Sequence, residues 1–165
     1  MIGQGSRSAN PPDTAICAFA AQFAEVEVDV ETGRVRVLHI TSAHDSGRII
    51  NPTLAESQLE GGIIMGLGYA LFEKRVLDAR LGLVPNPTTH DYKIPTIGDV
   101  PTIDAFFIDV ADVVANHTGA RGIAEAPIIP TAPAIANAVA DALGVAVSEI
   151  PLTPWRVLSE IEAAR

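Results

Sequence analysis

The chain has 165 residues, enough for one compact domain with its own core, and carries a formal net charge of −9. This charge argues against nucleic acid or an anionic membrane as a partner, because polyanions would be repelled and no Lys/Arg cluster offers a local exception. Cys17 is the only cysteine, which excludes an internal disulfide and any cysteine-held iron–sulfur cluster within the chain.

Residues 1–14 are rich in Gly, Ser, Asn and Pro and have no hydrophobic period, which predicts a flexible N-terminal arm. Residues 15–165 are predicted to form a single domain. Gly3-Gln4-Gly5 is too short a match to predict a cofactor loop. The N-terminus shows neither the basic run nor the apolar stretch of a signal peptide, and no apolar run is both charge-free and long enough for a bilayer.

The first predicted elements are two strands. Apolar and polar residues alternate from Ala18 to Val30, which predicts a half-buried strand with an acidic row on its other face: Glu25, Glu27 and Asp29. Residues 31–33 supply a turn, and the run to Ile40 returns as the second strand of a hairpin. The acidic row could bind a cation, but a solvated surface is the favoured interpretation.

The polar connector HDSGRIINP, residues 44–52, leads from the hairpin to a helix. Asp45, Arg48 and Asn51 are predicted to form a hydrogen-bonded corner with a structural role. A metal site is not predicted here, because the connector does not bring two metal ligands to a useful spacing. A capping box at residues 53–56 predicts a helix from Thr53 to about Lys74. Its apolar stripe repeats every four residues: Leu59, Ile63, Leu67 and Leu71.

This helix contains four glycines: Gly61, Gly62, Gly66 and Gly68. Each costs roughly 1 kcal/mol relative to alanine in a helix interior, so a compensating interaction is expected. Glycine permits close backbone approach, either by another helix or by a flat ligand, and close helix packing is favoured on physical grounds alone.

The remaining elements complete an α+β prediction. Residues 76–84 are predicted to form a short hairpin, and residues 103–110 a strand in the centre of the sheet. A helix capped by Thr131 is predicted to run to Leu143 and stop at Gly144, and a short last helix follows. The predicted fold is therefore a mixed or antiparallel sheet packed by two main helices, Thr53–Lys74 and Thr131–Leu143.

Glu125 is the only charged residue between Arg121 and Asp141, and Pro127 and Pro130 stiffen the segment that carries it. An acid in so apolar a setting loses hydration, which favours its protonated form and makes it a candidate general base. A rigid segment suits that task because a base must be held in place. Two alternatives stay open: a solvated loop Glu, or a Glu that accepts backbone N–H bonds at a helix start.

Six motifs span nearly the whole chain in this order: EVEVDVETGRVRV, HDSGRIINP, QLEGGIIMGLGYALFE, HDYKIPT, GARGIAEAPIIPTAPAIANAVADALG and PLTPWRVL. Together they resemble the C-terminal part of the molybdopterin-binding subunit of the xanthine dehydrogenase and aldehyde oxidase family. The resemblance implies that residues 15–165 are the C-terminal portion of such a subunit, with the fold of its C-terminal molybdopterin-binding domain.

The resemblance also implies residue roles. In the family the acid of a G-x-G-E-P-P-like motif is the catalytic base beside molybdenum, and the matching acid is Glu125. The glutamine of a Q-x-x-G-G-like motif hydrogen-bonds the pterin, and the matching residue is Gln58, whose amide both donates and accepts. Gly61 and Gly62 would then let the cofactor approach.

The implied activity is that of a molybdopterin-dependent oxidoreductase, which hydroxylates an aldehyde or an N-heterocycle such as a purine with water as oxygen donor. Residues outside this chain would complete the molybdenum–molybdopterin site, and iron–sulfur clusters and FAD would lie on partner domains or subunits. Implied partners are the remaining molybdopterin-subunit domain, iron–sulfur and flavin subunits and a small-molecule substrate. The assembly is expected in the cytoplasm, or the periplasm as in some relatives, and the isolated chain is expected to be inactive.

Two residues depart from the family motif around Glu125. Ala124 replaces the usual glycine and Ala126 the first proline. Both substitutes are small, so Glu125 remains the assigned acid. The departures nevertheless motivate a second hypothesis, a non-catalytic assembly or interaction module that retains the fold.

Overall fold

The computed structural model describes residues 10–164, so most of the predicted N-terminal arm, including Gly3-Gln4-Gly5, lies outside the described residues. Six elements follow in chain order: β1 (Phe19–Asp29), β2 (Arg34–Asp45), α1 (Pro52–Leu71), β3 (Thr102–Phe107), α2 (Thr131–Leu143) and α3 (Pro154–Ala163). β2 pairs antiparallel with β1 and parallel with β3 in a three-stranded sheet. The predicted α+β fold with a mixed sheet is confirmed.

The β1–β2 hairpin follows from the alternating pattern. Exposed and half-buried positions alternate along the whole of β1, with the acidic row on the exposed face. The turn requires glycine at Gly33, because its φ is 71° and an added Cβ would collide with the carbonyl oxygen of Pro154. The Asp29 carboxylate accepts the N–H groups of Glu31 and Thr32 at 2.9 and 3.1 Å and closes the turn.

The strand predicted from residue 103 forms as β3, but its predicted central place is wrong. The central strand is β2, because β1 pairs with one of its edges and β3 with the other. Phe106 lies on the outward face of β3 and is 56% exposed. An apolar run indicates a strand but carries no information about its neighbours.

A single core holds the three helices against the inward face of the sheet. Its members come from β2, from the residues before α3 and from all three helices, and none is more than 7% exposed: Val37, Ile40, Ile63, Leu67, Ala70, Leu71, Ala132, Ile135, Val139, Leu152 and Val157. Burying each large aliphatic side chain stabilises the fold by about 1.5–3 kcal/mol. The predicted stripe of α1 is buried as a whole.

The start of α1 differs from its prediction. The helix begins at Pro52, and Asn51 is its N-cap, since Asn51 Oδ1 accepts the N–H of Leu54 at 3.1 Å. Proline suits the first helical position because its missing N–H would have no partner there. The capping box predicted at Thr53 is therefore wrong, and α1 ends at Leu71, three residues before the predicted end.

The start of α2 also differs. Thr131 is the first helical residue, not the cap, and its hydroxyl proton is shared between the carbonyl of Pro127 at 2.9 Å and Gln22 Oε1 at 2.7 Å. The predicted C-terminal stop is confirmed, because Gly144 caps α2 with a φ of 69°. Within residues 10–164, none of the helices combines the length and apolarity needed to cross a membrane.

The connection between α1 and β3 contains little regular structure. The hairpin predicted over residues 76–84 is reduced to one antiparallel bridge between Asp78 and Leu83. The Tyr92 hydroxyl donates to Glu73 Oε2 at 2.7 Å and ties this connection to the end of α1.

Candidate functional site

The segment that carries Glu125 packs closely on α1. A Cβ placed on Gly62 would lie 2.5 Å from the Cβ of Pro127, and one placed on Gly66 would lie 2.5 Å from the Cβ of Thr131. Side chains larger than hydrogen at these two positions would push the segment and α2 away from α1. The predicted close helix packing is confirmed at Gly66, which meets the first residue of α2, whereas Gly62 meets the segment before that helix.

Gln22 of β1 holds the same segment from the other side. Its Nε2 donates to the carbonyl of Pro127 at 2.9 Å, and its Oε1 accepts from the Thr131 hydroxyl at 2.7 Å. Sequence reasoning missed this residue. The available signal was its place in the alternation of β1, where Gln22 occupies an inward position between Ala20 and Ala24.

Glu125 itself is exposed. Its carboxylate makes no hydrogen bond or ion pair with the described part of the chain, while its carbonyl accepts the N–H of Ile128 at 3.1 Å in a turn. The expectation that its apolar sequence neighbours remove water from Glu125 is wrong for this chain. Pro127 is buried against α1 instead, so the turn leaves the carboxylate outside.

Glu125 lines a cavity of about 700 Å³ between the start of β1 and the segments around residues 115 and 120–130. Most of its lining residues are apolar, Ile16, Phe19 and Ile129 among them, but about half of the lining surface is polar. Arg121 and Asn116 are its other polar residues. A small molecule with both polar and apolar parts fits beside the uncommitted carboxylate.

Arg121 is the best-connected charged residue of this region and was missed as a site residue. Its guanidinium donates to the Asp45 carboxylate through Nη2 and to the carbonyl of Cys17 through Nη1 at 2.6 Å, with Asp112 Oδ2 3.6 Å from Nη1. The hydrogen bond from Arg121 holds the pKa of Asp45 below its usual value. Arg121 thereby joins the lead into β1, the end of β2 and the Glu125 segment.

The predicted corner after β2 is correct only in part. Asn51 caps α1, but Asp45 pairs with Arg121 and not with Arg48, whose backbone N–H donates to the carbonyl of Gly119 at 2.8 Å. Spacing along the connector could not reveal this partner, because Arg121 lies far away in the sequence.

Gln58 lines a second cavity of about 270 Å³, between the first half of α1, the connector after β2 and residues 120–123. Gln58 is exposed, and its amide makes no hydrogen bond within the described residues. A Cβ placed on Gly61 would meet nothing within 4 Å, so this face of α1 is open, whereas Gly62 is covered by Pro127. Arg121 lines both cavities and so lies between Glu125 and Gln58.

Three buried polar residues lie near the end of β2 and just after it: Ser42, His44 and Ser46. Ser42 Oγ and His44 Nε2 share a hydrogen bond of 2.5 Å, while His44 Nδ1 and Ser46 Oγ have no partner in residues 10–164. Burial lowers the pKa of His44, because a low-dielectric interior disfavours the imidazolium. No group of three or more His, Cys, Asp or Glu in that range is arranged to hold a metal ion.

Comparison with known proteins identifies the family. The molybdopterin cofactor-binding domain family matches residues 4–101, more than half of the chain. This chain belongs to that family. The xanthine dehydrogenase molybdenum-binding subunit of Escherichia coli O157:H7 is 43% identical over 155 residues, which cover 94% of this chain and 20% of that protein. The aldehyde oxidoreductase molybdenum-binding subunit of Escherichia coli K12 is 37% identical over 143 residues, 87% of this chain and 20% of that protein.

Solved structures agree with this assignment. Quinoline 2-oxidoreductase from Pseudomonas putida 86 superposes with a TM-score of 0.76 at 32% identity, covering 83% of this chain and 18% of that one. Aldehyde oxidoreductase from Desulfovibrio gigas superposes with a TM-score of 0.79 at 28% identity, covering 88% and 15%. The predicted membership among molybdopterin-binding subunits of the xanthine dehydrogenase and aldehyde oxidase family is confirmed.

The part of the chain that each match covers decides which residues of the site it includes. The chain spans about a fifth of the length of these curated relatives. The family match ends at residue 101, before the Glu125 segment, whereas the alignment over 94% of the chain extends across it. Family membership therefore establishes molybdopterin as the family's cofactor and leaves the roles of Glu125, Gln58, Gly61 and Gly62 as predictions.

Proposed function

We propose that this chain is the base-bearing part of a molybdopterin-dependent oxidoreductase that hydroxylates an aldehyde or an N-heterocycle with water as the oxygen donor. One observation carries the proposal. The Glu125 carboxylate is uncommitted, it lines a cavity large enough for a small molecule, and the segment that bears it is held by α1 and by Gln22. A carboxylate on a held backbone segment, with no competing partner, meets the positional needs of a general base.

The residues around the second cavity fit a pterin. The Gln58 amide is free to donate and to accept, which matches the mixed edge of a pterin ring. Gly61 leaves the neighbouring helix face open to a flat ring, and Gly62 seats Pro127 so that the Glu125 segment lies one helical turn from Gln58. When bound, the molybdenum centre supplies the redox chemistry that removes two electrons from the substrate.

Glu125 has one task in this scheme. Its carboxylate accepts the proton of the water whose oxygen is added to the substrate carbon. The apolar residues of its cavity exclude water only in part, because Glu125 is exposed in this chain. The remaining exclusion of water must come from a surface that another polypeptide supplies.

That polypeptide is the rest of the molybdopterin-binding subunit, since the chain spans about a fifth of the relatives. We place the iron–sulfur clusters and the flavin on partner domains or subunits, and the assembly in the cytoplasm. The isolated chain is expected to retain no molybdenum, so roughly stoichiometric metal in the purified chain would contradict this division of the site.

A chimera tests the role of Glu125. This chain replaces the matched 155-residue region of the 43%-identical Escherichia coli O157:H7 subunit. Glu125→Gln should lower kcat about 10²- to 10⁴-fold at unchanged molybdenum content, because an amide cannot take the proton. Glu27→Gln, an exposed β1 position, is the matched control and should change kcat less than about twofold.

The molybdenum content of the same chimera tests the role of Gln58. Gln58→Ala should lower the molybdenum content, while Ser57→Ala at the adjacent exposed position of α1 should not.

Full molybdenum with undiminished turnover in Glu125→Gln would remove Glu125 from the mechanism. The alternative, a non-catalytic assembly module, would then account for Ala124, Ala126 and the exposed carboxylate.

A further inference from the structure

The outward face of the sheet carries three exposed phenylalanines. Phe19, Phe23 and Phe106 are 63%, 75% and 56% exposed, although aromatic rings contribute strongly to cores and interfaces when they are buried. Phe19 and Phe23 share one alternating face of β1, with Ala21 between them. In the register of the sheet Ala21 lies opposite Ala43 of β2, and Ala43 lies opposite Phe106 of β3. These five residues therefore form one apolar surface across all three strands, the aromatic face.

No helix within residues 10–164 covers the aromatic face. The three helices of that range pack on the opposite, inward face of the sheet through the single core. A contiguous apolar patch left in water marks an interaction site on a soluble protein. The aromatic face is therefore a candidate interface, and its partner must come from outside the described part of the chain.

The outward face becomes charged towards the turn of the hairpin. Glu25 is the next outward residue of β1 after Phe23, and farther along Glu27 lies opposite Arg36 and Asp29 opposite Arg34. These charged side chains can stay in water without cost, whereas the rings gain free energy when they leave it. An apolar centre bordered by a polar rim is the usual anatomy of a protein interface. The partner surface should therefore be apolar over the aromatic face and polar beyond it.

The aromatic face continues into the Glu125 cavity. Phe19 belongs to both, because it also lines that cavity together with Glu125. The proposed function requires another polypeptide to complete the exclusion of water around Glu125. A surface laid over the cavity extends from Phe19 directly onto the aromatic face. The rest of the molybdopterin-binding subunit is large enough to do both, since this chain spans about a fifth of the relatives.

We propose that the aromatic face is the docking surface for the rest of the molybdopterin-binding subunit. Phe23 and Phe106 pack against apolar surface of that partner, and Phe19 closes the margin of the Glu125 cavity. The inference rests on the proposed function for the identity of the partner. It does not require Glu125 to be a base, and its tests measure neither turnover nor molybdenum.

Hydroxyl-radical footprinting of the isolated chain and of the chimera with the Escherichia coli subunit tests the docking. All three phenylalanines should be oxidised in the isolated chain. In the chimera the oxidation rates of Phe23 and Phe106 should fall roughly fivefold or more, because the core of an interface is packed as densely as a protein interior. Trp155, which is 63% exposed on α3, is the control and should stay reactive in both proteins. Unchanged oxidation of Phe23 and Phe106 in the chimera would overturn the proposal.

Two variants localise the contact. The tagged chain is co-expressed with the Escherichia coli subunit from which the matched region has been deleted, and the affinity of the purified pair is measured. Phe23→Ser should weaken this binding roughly tenfold, because it removes a ring from the centre of the interface. Ile97→Ser removes a side chain that is 96% exposed in the connection before β3, and it should leave the affinity unchanged. Equal affinities of Phe23→Ser and the unaltered chain would contradict the docking role.

The remaining outcomes also decide the proposal. A dimer of the isolated chain that Phe23→Ser dissociates would assign the aromatic face to a second copy of the chain and overturn it. If the chimera does not fold, the co-expressed pair carries the same comparison of oxidation rates, and failure of the pair to assemble would overturn the proposal. Protection of Phe23 and Phe106 in a chimera whose Glu125→Gln variant keeps full turnover would support docking and remove only the catalytic role of Glu125.

Discussion

Pro127 rests directly on Gly62, with 2.5 Å between the Pro127 Cβ and the position that a Cβ on Gly62 would take. Glu125 lies two residues before Pro127, and Gln58 lies one helical turn before Gly62. This contact therefore sets the separation between the candidate base and the candidate pterin contact. A helix with alanine in place of Gly62 would hold them farther apart.

Neighbouring glycines of α1 should respond to alanine with opposite signs. Gly62→Ala should lower the free energy of unfolding by about 1–2 kcal/mol, because overpacking against Pro127 exceeds the gain in helix propensity. Gly61→Ala should raise it by up to about 1 kcal/mol, since an added Cβ there meets no atom within 4 Å. Urea unfolding of both variants measures the difference, and effects of the same sign would contradict the packing role of Gly62.

The hydrogen bonds around the Pro127 carbonyl should stabilise the fold measurably. Gln22→Leu and Thr131→Val should each cost about 1–3 kcal/mol, because each leaves a buried partner short of a hydrogen bond. The double variant should cost less than the sum of the two, because they share partners. Gln58→Leu is the control, and its stability should change by less than about 0.5 kcal/mol, since its amide has no partner within the described residues.

His44 should make stability fall in mildly acidic solution. Burial lowers the pKa of its imidazole below the usual 6.5, so the unfolded chain binds this proton more readily than the folded chain. Neutral His44 contributes fully to the free energy of unfolding above pH 6.5. This contribution is lost as the pH falls from there through the pKa of His44 in the folded chain, at up to about 1.4 kcal/mol per pH unit. Unfolding of His44→Gln at several pH values should show a flatter profile in that window. The exposed variant His117→Gln should retain the wild-type profile.

Asp45 should make the stability of the fold depend on pH in a more acidic range than His44 does. Its hydrogen bond from Arg121 holds its pKa below the usual 3.8, so the carboxylate stabilises the fold above that pH. The contribution disappears as the pH falls through the folded pKa. Asp45→Asn should cost about 1–3 kcal/mol at pH 7, because the nearly buried Arg121 loses its hydrogen-bonded anion and keeps only the more distant Asp112. Asp104→Asn, which removes an exposed carboxylate beside His39, should cost less than about 1 kcal/mol, and an equal loss would contradict the special role of Asp45.

Several features could be predicted from local patterns. The alternation in β1, the apolar stripe of α1 and the Gly144 stop of α2 all appear as expected, since periodicity and backbone freedom act over a few residues. The cap of α1 was misplaced by two residues, because Asn51 and Thr53 are both good caps and only the path of the chain selects one. Motif order identified the family before any coordinates, and the family match agrees.

The sequence by itself determined the α+β class, the family and the candidate acid at Glu125. Only the tertiary structure decided that β3 lies at an edge, that Asp45 pairs with Arg121, that Gln22 holds Pro127, and that Glu125 is exposed. These features join residues far apart along the chain, whose proximity depends on how strands and helices pack. Local composition cannot encode such contacts, because the water around a side chain is removed by whichever surface the fold, or a partner, brings against it.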